Sequence, residues 1–303
     1  MSNDWSRRSL LKLAATAAAV PLRRIGSHPL ATATESADKA EAPNQGGTPS
    51  QVEAPRQDGA PNPEPVPDTF PTQPPELARE MVTVSHFDLK RVKELVEARP
   101  SLARASWDWG FGDWESTLGA ASHMGNRPIA EYLISQGARP SLFSGAMLGH
   151  ADVVKAMIAA SPGAQRIRGP HGISLFAHAK AGGEQARSVF EFLKTLGDAD
   201  AEPPVPLSDR EITLLAGTYI FGYGENQRIE VTAEQRQGVM SMYSPLTWTR
   251  KGMMGRPLVH VGDHAFYPAG APSVRINFAE EDASVVMTVH DPGVILVAKK
   301  KKV

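Results

Sequence analysis

Apolar positions change their period twice along the chain. From Thr34 to Glu76 they have none: ten prolines fall in this stretch, and Asp and Glu outnumber Lys and Arg. Such a segment cannot bury enough surface to offset its ordering entropy and reads as an extended acidic linker. From Leu77 to Asp200 the spacing is helical. Leu stands seven residues before Gly three times, as Leu118 and Gly125, Leu142 and Gly149, and Leu175 and Gly182. Counting on from the first two glycines, apolar residues fall at plus five, eight and nine: Ala130, Leu133 and Ile134, then Val154, Met157 and Ile158. Val189, Phe192 and Leu193 fill the same slots when two residues are inserted, and Val92, Leu95 and Val96 mark an earlier copy. Each copy predicts a helical hairpin closed by a glycine in a left-handed conformation, with Pro128 in a first helical turn. A hairpin that is apolar on more than one side must stack on its neighbours.

Beyond the Pro-rich boundary "AEPPVPLSD" the period becomes two. "TYIFGY", "RIEVT", "VMSMY", "LVHV", "AFYP", "VRINF", "VVMTVH" and "VILVAK" are strand candidates, separated by turn signals such as "VGDHA" and "DPG". They predict an antiparallel β-domain over 207–303, a small closed barrel or a sandwich. Side chains filling its interior and a ligand cavity inside it are both compatible with the pattern. The expected fold class is therefore multidomain, an α region followed by a β region.

The helical copies resemble ankyrin repeats. The likeness spans 77–200 as about four repeats, most closely in "GHADVVKAMI", and it implies a helical solenoid that binds a protein partner. The interval of 24 between Leu118 and Leu142 implies that this unit lacks the projecting β-turn finger, and Phe87 in the glycine slot implies an irregular first unit. "LLAGTYIFGYGENQRIEVT" resembles the β-domains appended to exported serine-hydrolase-like proteins, where that domain is not the seat of chemistry.

The first residues change the picture of where the chain works. "SRRSLLKLAATAAAV" holds Arg7 and Arg8 before an apolar run too short to anchor in a bilayer. It resembles a twin-arginine export signal over residues 1–33, with "ATA" before the expected cleavage and Leu10 where that family commonly has Phe. This implies a periplasmic or secreted protein. The chain has 303 residues and no Cys, which excludes disulfides, thiolate nucleophiles and Cys-ligated zinc. A net charge of −1 argues against a nucleic-acid partner.

Candidate chemistry is sparse. "WDWGFGDWE" carries Trp107, Trp109, Phe111 and Trp114, read either as a cover over the first hairpin or as an aromatic binding patch. His171 lies at a turn and is a second candidate binding residue. His178 falls inside the next helix and reads as a core hydrogen-bonding residue. His260 and His264 flank a turn and do not form a zinc pair. The run Lys299 to Lys302 reads as a solvated tail. Gly-x-Ser-x-Gly, His-Glu-x-x-His and phosphate-loop motifs do not occur, and Ser-x-x-Lys falls only at Ser9 and Ser36, outside any packed site. The expectation is an exported, non-catalytic scaffold for protein–protein interaction, with no catalytic residue, no metal and no cofactor. The alternative is a small-molecule binder that uses the β-barrel or the aromatic loop.

Overall fold

The computed structural model describes residues 70–200, 202–236, 242–282 and 284–302, within a compact unit formed by Pro65–Val303. Arg7, Arg8 and the expected signal and linker segments lie outside the described residues, except for the linker's last residues. There the first helix already begins at Pro75, because proline suits a first helical turn.

The helical region is built from α1 (Pro75–Val84), α2 (Leu89–Ala98), α3 (Thr117–His123), α4 (Arg127–Ser135), α5 (Leu142–Leu148), α6 (Ala151–Ala160), α7 (Leu175–Ala181) and α8 (Arg187–Leu196). They pair as α1 with α2, α3 with α4, α5 with α6 and α7 with α8. The short first members form a row: α3 packs on α1 and α5, and α5 packs on α7. Leu118, Leu142 and Leu175 stand in the first turn of α3, α5 and α7 and are buried. Side-chain caps start these helices, Ser116 on the Gly119 N–H and Ser174 on the Ala177 N–H, with a reciprocal Ser141–Ser144 box before α5.

Gly149 ends α5 with φ of 78°, and a Cβ there would stand 2.1 Å from Gln185 O, so the turn needs glycine twice over. Gly125 does the same after α3 (φ 68°). The third expected turn differs. Gly182 is right-handed (φ −70°), and the positive φ passes to Gly183, which opens a 3-10 turn before α8. The inserted residues are that extra turn. Among the apolar slots Met157 is 41% exposed, since α6 faces solvent on the side its hairpin does not cover.

Two short strands, β1 (Ser106–Asp108) and β2 (Trp114–Ser116), form an antiparallel hairpin between α2 and α3. A second loop, closed by a bridge between Arg168 and Ser174, precedes α7. Between α4 and α5 no strand intervenes.

The β region is a closed, eight-stranded antiparallel barrel in sequence order, with β10 pairing back to β3. Its strands are β3 (Gly217–Ile220), β4 (Arg228–Ala233), β5 (Leu246–Arg250), β6 (Arg256–Gly262), β7 (Ala265–Pro268), β8 (Arg275–Glu281), β9 (Ser284–Asp291) and β10 (Val294–Lys300). Alternate positions point inward, so Tyr219, Ile229, Leu246, Leu258, Phe266 and Met287 fill the interior. Seven of the expected strands are present. The eighth, "VMSMY", lies mostly outside the described residues; its Met242 and Tyr243 are described and stand outside any strand, and β5, "LTWTR", which the expected set omits, pairs with β4. Its Thr and Trp suit a pleated, half-buried surface as well as Val does.

Two further expectations change. A helix, α9 (Asp209–Leu215), capped by a Ser208–Glu211 box, precedes the barrel. The lysine run is partly strand, because Lys299 and Lys300 pair with Ile220 and Tyr219 to close the barrel.

Candidate metal centre

The site begins in an inverted strand. In "GDWES" alternate side chains point to opposite faces, and here the acids point inward and the tryptophan outward. Asp113 and Glu115 are buried, whereas Trp114 is 64% exposed. The turn before them is forced by Gly110, Phe111 and Gly112, all at positive φ, with Asp108 Oδ1 accepting from the Gly110 N–H. Phe111 thereby reaches the barrel and packs edge-on against Trp248, 5.2 Å between ring centroids.

Three histidines surround Glu115. Its Oε1 lies 2.9 Å from His123 Nε2, at the end of α3. Its Oε2 lies 3.4 Å from His171 Nε2 and 3.5 Å from His86 Nε2, and accepts from Trp109 Nε1 at 2.7 Å. Donor atoms of His86, Glu115, His123 and His171 all fall within 4.8 Å of one another.

The outer nitrogens fix the ring orientations. His171 Nδ1 lies 2.8 Å from Asp113 Oδ2, and His86 Nδ1 lies 3.1 and 3.0 Å from Val82 O and Thr83 O. Carboxylate and carbonyl oxygens only accept, so both Nδ1 atoms carry the proton and both Nε2 lone pairs face Glu115 when the rings are neutral. Asp113 is held in turn by Arg256 of β6, whose Nη2 donates to Asp113 Oδ2 and to Ala269 O. Asp113 Oδ1 accepts from the His171 backbone N–H at 2.9 Å, and Tyr243 Oη donates to His171 O at 2.7 Å. Gly270 has φ of 81°, and any Cβ there would strike the Asp113 carboxylate. The barrel therefore clamps the second loop through Arg256, Tyr243 and Gly270.

Electrostatics follow from this geometry. Burial alone would raise the Glu115 carboxyl, but the hydrogen bonds from His123 and His171 outweigh it and hold its pKa well below the usual range. Asp113 is likewise lowered, with burial overcome by His171 and then Arg256. His171, despite burial, is raised to about 9 by its bonds to Asp113 and Glu115. Burial lowers His86. Behind them His178 is fully buried, its Nδ1 2.8 Å from Ser174 O, and burial lowers it to about 4.

No protein-family model matches the chain, and no curated protein matches it either. The chemistry must be read from the site itself.

Four donors at 2.0–2.1 Å from a tetrahedral cation stand about 3.3–3.4 Å apart. The separations of 2.9, 3.4 and 3.5 Å to the two Glu115 oxygens lie close to that value, and the four donors as a set fall within 4.8 Å, so the rings would draw together to hold an ion. The donor set suits a borderline transition metal such as zinc, cobalt or iron rather than calcium, which takes oxygen ligands. The carboxylate behind His171 is the usual outer support of a ligating imidazole.

The residues singled out by sequence fall in different places. His171 belongs to the donor set, whereas its place at a turn in the sequence points only to a candidate binding residue and to no metal. Trp109 is buried and holds Glu115. Trp107 is half-buried beside Val82 and Ala120. Phe111 joins the barrel, and Trp114 points to solvent. His260 and His264 are held apart, by Val205 O and Glu211 respectively. Sequence reasoning passed over His86, Asp113, Glu115 and His123. The signal present is the acid–aromatic–acid alternation of Asp113, Trp114 and Glu115, whose period of two puts both carboxylates on one face and the ring on the other.

Proposed function

We propose that this protein is an exported transition-metal-binding protein whose centre is formed by His86, Glu115, His123 and His171. The observation that carries the reading is the convergence of four donors from separate segments, the outer nitrogens of His86 and His171 being held by backbone carbonyls and Asp113. A purely structural network would not need three imidazoles around one carboxylate, because every buried titratable group carries a desolvation cost. Export is supported by the resemblance of the segment at Arg7 and Arg8 to a twin-arginine signal. That pathway carries folded proteins and so suits a cargo that must acquire its metal before leaving.

The test is the metal content of protein purified without added metal and without chelator. One equivalent of a first-row transition metal is expected, and it falls below a tenth of an equivalent in His86→Ala and His123→Ala. A wild-type protein that stays metal-free after incubation with zinc, cobalt and iron would overturn the reading.

A second reading concerns the helices, proposed as an ankyrin-type scaffold for a protein partner. The row of α1, α3, α5 and α7 and the left-handed glycine turns at Gly125 and Gly149 favour it, as do the exposed Val153 and Met157 on α6. Crosslinking and co-purification from the periplasm test it, and recovery of the chain alone would argue against it.

A further inference from the structure

Beside the proposed centre lies a cavity of about 590 Å³, between the helical region and the barrel. Its size is that of a small-molecule site, which spans about 300–1,000 Å³. Two of the four donors, His123 and His171, form part of its wall, together with Arg256 and Tyr243. Much of the remaining wall is apolar, from Met124, Ile173, Met254 and Pro257. The cavity is distinct from the barrel interior, which Tyr219, Phe266 and Met287 fill.

Charge sets the complementary head group. A divalent ion in the centre faces Glu115 and, through His171, Asp113, while Arg256 is paired with Asp113. With neutral imidazoles, the two carboxylates cancel the ion and the guanidinium leaves one positive charge. This excess is buried, so an anion entering the cavity gains more from it than it would in water. Cobalt and iron accept more than four ligands, so a carboxylate can join the four protein donors. The apolar wall then selects what the carboxylate is attached to.

We infer that this cavity binds a small organic monoanion, an apolar carboxylate whose head group meets the metal beside His123 and His171 and whose body lies against Met124, Ile173 and Met254. The inference rests on the metal-binding reading above. It places the small-molecule site at the junction of the two regions, neither inside the barrel nor on the exposed Trp114.

The test uses full-length protein loaded with one equivalent of cobalt(II), titrated with octanoate and with acetate and followed by its visible d–d absorption. Octanoate should perturb the spectrum saturably and bind at least tenfold more tightly than acetate, since only octanoate has methylenes to bury. Met254→Glu places a negative charge in the cavity wall at a position that is 44% exposed and not one of the four donors. It should keep the cobalt spectrum of the ligand-free protein and weaken octanoate at least tenfold. A cobalt spectrum that neither acid alters would overturn the inference and leave the centre as a closed structural site. Equal affinities for both acids would overturn the apolar part of the assignment. No protein-bound cobalt spectrum at all would overturn both readings.

Discussion

The barrel and the helical region bury side chains of opposite character. Inside the barrel the filling is mainly aromatic and aliphatic, and Tyr219 Oη bonds Leu215 O at 2.8 Å. The buried polar side chains of β6, Arg256 and His260, flank Leu258 and have no buried acid of the barrel beside them among the described residues. The helical region instead buries two carboxylates and crowds three imidazoles around one of them, beside a fourth, His178. Apolar packing of the same volume would stabilise as well or better, because the desolvation of ions offsets their attraction. Stability alone therefore explains the barrel's interior and not the polar cluster. The difference points to function in the helical region, with the barrel holding the second loop still.

The largest effect should come from Glu115→Ala. It removes the carboxylate shared by three imidazoles and Trp109, leaving buried donors unpaired, and should cost about 3–5 kcal/mol in chemical denaturation. Metal should be lost as well. Phe266→Ala in the barrel should cost a similar 3–5 kcal/mol through a cavity, yet leave metal stoichiometry at that of the wild type in the folded protein. Loss of metal in both variants would erase the contrast.

Gly149→Val sharpens the comparison from the helical side. A positive φ and the approach of Gln185 O predict a loss of about 1–3 kcal/mol. Thermal unfolding followed by helical circular dichroism should show the shift, and an unchanged transition would mean that the α5 turn tolerates a side chain.

Asp113→Asn tests the clamp. The amide cannot match the carboxylate as acceptor for both His171 and Arg256, and metal affinity should fall about 10–100-fold. Competition with a chromophoric chelator measures it. Unchanged affinity would mean that Asp113 only joins the loop to the barrel.

A smaller effect is expected from pH on metal-free protein. The folded pKa of His171 is raised to about 9, so its stabilising contribution is complete below its unfolded value of about 6.5 and is lost as pH rises through 9. His178 is lowered to about 4. Its contribution is complete above about 6.5 and fades as pH falls toward 4. Together they place the stability maximum of the metal-free protein near neutrality, and His178→Phe should flatten the acid side. Urea midpoints from pH 4 to 9.5 check both limbs.

Much of the fold was legible because it rests on local periods. Alternation in "VRINF" and "VVMTVH" gave β8 and β9, and the Leu-to-Gly interval located α3, α5 and α7 with the turns at Gly125 and Gly149. Where tertiary context decides, local pattern falls short: Gly182 is right-handed because an inserted turn follows it, and β5, "LTWTR", is a strand that the expected set omits. The site was almost invisible for the same reason. His86, Glu115, His123 and His171 follow no common spacing and meet only once α1, β2, α3 and the second loop are packed. "WDWGFGDWE" drew attention to its rings, while Asp113 and Glu115 between them carry the charge.

X-ray absorption at the zinc edge, on protein loaded with one equivalent of zinc, tests the central claim most directly. The account predicts a first shell of three imidazole nitrogens and one carboxylate oxygen at about 2.0–2.1 Å, with the outer-shell scattering of three rigid imidazole rings. His171→Ala should reduce that signature to two rings. A spectrum of zinc surrounded by water oxygens, without imidazole scattering, would contradict the account.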